Sequence, residues 1–108
     1  MPSLEEIEKK FHGQHLTPGE IADLRVVLSG KYAYVMNQLE EILTRKPAVW
    51  NELRKEHNSD TATERTWQAS ELGLQELHWN FQRKKIEKML SAAKTLLEVK
   101  TAEAYNAF

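Results

Sequence analysis

Apolar residues return at helical spacing along most of this chain, and over its second quarter they return in heptads. Leu28, Val35, Ile42 and Val49 stand seven apart, and Tyr32, Leu39 and Leu53 form the companion series, with Lys46 in its gap. Such a double series is the seam of a helix packed lengthwise on another. It begins near Thr17-Pro18-Gly19-Glu20, where Thr and Glu have capping-box spacing and proline takes the first helical position. The spacing predicts a helix over about 18–57, with a kink near Pro47, whose ring clashes with the carbonyl of Leu43. Upstream, Ser3 and Glu6 cap a short helix over about 4–12. Downstream, His57-Asn58-Ser59-Asp60 reads as a turn, and Thr61 with Glu64 opens a third helix over about 62–104, in which Gly73 is the one breaker.

A third helix of that length is about 60 Å long, more than a compact chain of this size covers. It carries two apolar stripes. One holds Leu72, Trp79, Ile86, Leu90, Ala93 and Leu97; the other holds Trp67, Leu74, Leu77 and Phe81, then Lys85 and Lys88, then Ala92 and Val99. A neighbouring helix covers one stripe, and the short first helix covers part of the second. The remainder asks for another chain. The expected fold is therefore one all-α domain, a short N-terminal helix plus a long antiparallel, coiled-coil-like helical hairpin, assembled as an oligomeric bundle. Trp67, Leu74, Leu77, Trp79, Phe81 and Ile86 are its candidate oligomer interface.

Composition narrows the function classes. The 108 residues are 41% hydrophobic and 29% charged, with a formal net charge of -1, so the chain as a whole is not a polycation. Without cysteine there is no disulfide framework and no thiolate zinc site. The opening MPSLEEIEKK lacks the cationic and apolar regions of a secretion signal, and no apolar run approaches a membrane span. The expectation is a cytoplasmic protein that does not engage a membrane.

Charge is unevenly placed. From Ser59 to Leu77 there is one cation against four acids; from His78 to Lys100 there are six cations against two acids. Folding the second helix on the third about residue 59 brings Arg45 and Lys46 toward Glu71 and Glu76. It sets Arg83, Lys84, Lys85 and Lys88 opposite Gly30–Val35, which offers Lys31, Tyr32 and Tyr34 but no carboxylate. Three readings fit that basic and aromatic group. Lysine stems lie on apolar neighbours with their ammonium in water; an acidic protein surface docks there; or phosphates and stacked bases of a nucleic acid do.

Candidate chemistry is sparse. His12 and His15, with Glu8, have metal-ligand character, but Gly13 between the histidines separates their faces. No nucleophile elbow, phosphate loop or HExxH is present, and the adjacent pairs Glu5-Glu6 and Glu40-Glu41 point apart on a helix. No catalytic residue, metal or cofactor is expected. Trp50, Trp67 and Trp79 read as core or interface anchors. The aromatic tail Tyr105-Asn106-Ala107-Phe108 suggests docking.

Three patterns carry a resemblance: Lys46-Pro47-Ala48-Val49-Trp50, the turn SDTATERTW over 59–67, and the helix RKKIEKMLSAAKTLL over 83–97. Together they resemble small all-helical proteins, without assigned activity, that bacteriophages and prophages encode, often beside replication or recombination genes. The resemblance spans roughly residues 17–108 and carries over no functional residue. It implies a protein of the bacterial host cytoplasm that acts by binding DNA, a recombination partner or a host defence component; joined to the two-stripe helix and the absence of catalytic motifs, the expectation is a non-enzymatic protein that binds itself and such a macromolecular partner. A nucleic-acid accessory role is the alternative.

Overall fold

The computed structural model describes residues 2–13 and 15–106. Among these are four helices and no strand: α1 Leu4–Gly13, α2 Pro18–Glu56, α3 Asp60–Ala69 and α4 Glu71–Asn106. They contribute to two compact units, Met1–Ala33 with Lys84–Phe108, and Tyr34–Arg83.

In the first unit, local chemistry starts each helix. The Glu6 N–H donates to Ser3 Oγ at 3.2 Å. Thr17 and Glu20 form a reciprocal capping box, Glu20 N–H to Thr17 Oγ1 at 3.2 Å and Thr17 N–H to Glu20 Oε1 at 3.3 Å. The buried apolar residues here are Ile7, Leu16, Ile21, Leu24 and Leu28, with Ile86, Met89 and Ala93 from α4. Ile86, Met89 and Ala93 lie three and four apart, the step that keeps side chains on one helical face. Tyr105 is 83% exposed, so it is not docked, and Phe108 of the same tail lies outside the described residues.

The second unit has a core of Val35, Leu39 and Ile42 from α2 and Thr63 and Trp67 from α3. Helix α2 runs through Pro47 without ending there. Lys46, the gap in the heptad series, is not left facing apolar neighbours. Its ammonium donates to Glu76 Oε1 at 3.3 Å and lies 5.0 Å from the Trp67 ring centroid and 5.7 Å from that of Trp50. Glu76 Oε1 also accepts the Trp67 indole N–H at 3.3 Å. The cation thus has a carboxylate and two aromatic faces beside the water that its 28% exposed side chain still meets.

The turn after α2 is tied by side chains. Arg54 donates to the His57 carbonyl at 2.7 Å and to Asp60 at 3.0 Å, and the His57 ring meets the Thr66 hydroxyl at 3.2 Å. Ser59, not Thr61, caps α3, accepting the Ala62 N–H at 3.1 Å.

The helix expected over about 62–104 is divided at Ser70, whose backbone is extended, with φ -73° and ψ 161°. The Ser70 hydroxyl donates to the Trp67 carbonyl at 2.6 Å and accepts the Gly73 N–H at 3.1 Å, so one side chain ends α3 and starts α4. Serine offers the backbone this alternative to continuing a helix. Gly73 permits the turn: a Cβ there would lie 1.8 Å from the Trp67 carbonyl oxygen. The bend is what places the indole beside Glu76.

Trp67→Ala removes the largest fully buried side chain together with the indole hydrogen bond. Urea unfolding should show a loss of about 3–5 kcal/mol, whereas Leu77→Ala, at an exposed position, should stay within about 0.5 kcal/mol.

Candidate interaction surface

Where α4 begins, in the Tyr34–Arg83 unit, its outer face is apolar. Leu74 is 55% exposed, Leu77 54% and Phe81 64%. Their spacing of three and four residues aligns them on one face, so this is a stripe and not scattered contacts. Beside it lies a surface depression of about 480 Å³ lined by Gln38, Glu71, Leu74, Gln75, His78 and Trp79. Trp79 is half-buried and held edge-on by two rings: Tyr34 at 5.7 Å and 74°, and His78 at 4.8 Å and 70°. The wall of the depression is therefore an aromatic cluster.

Two residues expected at this interface are corrected. Trp67, 1% exposed, is sealed against Lys46 and Glu76, and Ile86 is fully buried in the core of the other unit. The chain's own packing uses both, because the bend at Ser70 turns Trp67 inward. Leu74, Leu77, Phe81 and the edge of Trp79 stay accessible.

The basic and aromatic candidates are divided between the units. Tyr34 and Arg83 belong to the Tyr34–Arg83 unit, where Tyr34, 57% exposed, meets Trp79 edge-on and the Arg83 Nε donates to Asn80 at 3.4 Å. Lys31, Tyr32, Lys84, Lys85 and Lys88 belong to the other unit. There Lys31 and Tyr32 are half-buried, and Lys84 and Lys88 are exposed. Lys85 is not opposite a stretch without carboxylates: its ammonium lies 3.1 Å from Glu8 of α1. Lys88 lines a groove with Phe11 and His12 of α1 and Ala92, Leu96 and Val99 of α4. The first helix thus lies along the stripe where lysines interrupt it, and a lysine–glutamate pair is what the interruption provides.

Glu8 is the residue that sequence reasoning missed in this role. It lies 77 positions before Lys85, too far for any local spacing rule to connect them. Among the described residues no group of three His, Cys, Asp or Glu side chains could hold a metal ion. No described helix is long and apolar enough to cross a membrane.

Comparison with protein-family models, with curated proteins and with solved structures finds no match for this chain.

Both partners of the Glu8–Lys85 pair are partly open to solvent, with side-chain exposures of 43% and 42%. A double-mutant cycle with Glu8→Ala and Lys85→Ala should give a coupling of about 0.2–1 kcal/mol that shrinks with added salt.

Proposed function

We propose that this protein is a non-enzymatic helical interaction module that works by self-association. The observation that carries the reading is the stripe Leu74, Leu77 and Phe81, each more than half exposed on one face of α4. Large apolar side chains aligned in this way, beside a depression walled by aromatic rings, favour a surface that is covered by a partner. In this reading α2 and the α3–α4 arm form an antiparallel hairpin. Contacts such as Tyr34–Trp79 and Lys46–Glu76 favour that direction within one unit, since the higher-numbered partner on α2 meets the lower-numbered one on α4. The hairpins join through the stripe into an oligomeric bundle.

The assembled bundle then offers its charged outer surface to a macromolecular partner. The resemblance to phage-encoded helical proteins suggests the class of that partner, a protein of the bacterial host's defence or recombination machinery. The nucleic-acid alternative stands second. It keeps the exposed Lys84 and Lys88, but Lys85 already has a carboxylate in Glu8. Phosphate contact would have to appear as binding that falls steeply with salt; a missing gel shift at low salt removes that alternative.

For the preferred reading the test is mass against concentration by light scattering. The wild-type protein should exceed monomer mass at micromolar concentration. Phe81→Glu, a change at an exposed position, should lower it to monomer while keeping the folded state within about 0.5 kcal/mol. A wild-type chain that stays monomeric across the range contradicts the reading.

A further inference from the structure

The groove between α1 and α4 lies wholly within the unit of Met1–Ala33 and Lys84–Phe108. Phe11 and His12 form its α1 wall. Its α4 wall begins at Lys88 and ends at Val99, which is 48% exposed, and between them it carries the small, exposed side chains of Ser91, Ala92 and Thr95. Both walls are helices whose backbone groups are bonded within themselves, so an extended segment laid here would leave its own N–H and C=O groups without backbone partners. A helix brings its own, and helix-in-groove docking suits such walls. From Lys88 to Val99 the groove follows α4 for about 16 Å, or about three turns.

We infer that this groove receives the stripe of Leu74, Leu77 and Phe81 from a second copy of the chain, with Glu71 of that copy set beside Lys88. The inference rests on the self-association reading and adds the surface on which the stripe docks. Length and bulk both match. From Glu71 to Phe81 the donor face runs about 15 Å along its helix. Stripe laid on stripe would oppose large side chains to large ones, whereas stripe laid in groove sets Leu74, Leu77 and Phe81 over Ser91, Ala92 and Thr95. Large over small is how facing helices interdigitate.

Charge gives the direction. Glu71 and Lys88 are both exposed, and among the described residues neither takes part in an ion pair. The groove lining contains no carboxylate, so the cation at its head is left for one from outside. With the two helices parallel, Glu71 meets Lys88 and Phe81 reaches Val99. The reversed direction would carry Glu71 toward Glu103, which is exposed one turn past Val99 on the same face, and like charges would meet. The chain uses the same device internally, where Glu8 of α1 pairs with Lys85 of α4. Stripe and groove are both open in the single chain, so docking needs no rearrangement. They are also different faces, so each copy can offer its stripe to one neighbour and its groove to another.

Complementing variants test this. Phe81→Glu blocks the stripe and leaves the groove intact; Val99→Glu, also at an exposed position, blocks the groove and leaves the stripe intact. At a concentration where the wild-type chain associates, light scattering should find each variant monomeric, its association weakened tenfold or more. An equimolar mixture of the two should reach twice the monomer mass, because one good stripe then meets one good groove. Lys88→Glu alone should weaken association roughly tenfold, and Glu71→Lys in the same chain should restore it; a loss that is not restored overturns the alignment. A Val99→Glu chain that associates as the wild type does, or a mixture that stays monomeric, overturns the groove and leaves self-association standing. A wild-type chain that never exceeds monomer mass overturns both. If Val99→Glu loses its helical circular dichroism, Ala92→Glu, exposed in the same groove, takes its place in the mixture.

Discussion

The Tyr34–Arg83 unit is organised by the need to cover one indole. Trp67 is the bulkiest fully buried side chain described, and its N–H must find an acceptor away from water. Glu76 supplies it, nine residues later, and a continuous helix would hold the two too far apart to meet. The chain resolves this by stopping one helix and starting the next at Ser70. Ser70 can do so because its hydroxyl serves both helix ends, and Gly73 because it has no side chain to strike the Trp67 carbonyl. The exposed stripe follows from this bend, since Trp67 leaves the face that Leu74, Leu77 and Phe81 continue to occupy.

Cations in apolar registers are treated alike in both units. Lys46 stands at a seam position of α2 and Lys85 in an apolar stripe of α4, and each is met by a carboxylate from another helix, Glu76 and Glu8. A lysine in such a place fixes which helix lies against it, because leaving the ammonium unpaired beside apolar groups is costly. These pairs contribute to register more than to stability. The outer pair, both of whose members are partly in water, contributes little free energy by itself.

Much of the architecture was legible from periodicity. Four positions of the heptad series on α2 are buried, Leu28, Val35, Leu39 and Ile42, while Tyr32, Val49 and Leu53 are half-buried, and the capping residues Ser3 and Thr17 sit where the helices begin. The proximity of Lys46 and Glu76 followed from folding two helices about residue 59. The break at Ser70 was not legible, because serine inside a helical pattern is tolerated, and only a tertiary demand, the covering of Trp67, makes it a terminus. For the same reason Trp67 and Ile86 read as interface residues: periodicity assigns a face but not which neighbour covers it. Glu8 escaped notice because an ion pair between distant helices leaves no mark in local spacing. The stripe of Leu74, Leu77 and Phe81 could be read directly, being surplus apolar surface with no cover elsewhere in the sequence.

Self-association as proposed makes the stripe of Leu74, Leu77 and Phe81 a contact between copies. Leucine methyl resonances, followed by nuclear magnetic resonance on dilution from millimolar to micromolar protein, test it most directly. The account requires the Leu74 and Leu77 methyls to shift or broaden with concentration while those of the buried Leu28 and Leu39 hold still. Leu74 and Leu77 signals that are sharp and unmoved across the whole range would contradict it.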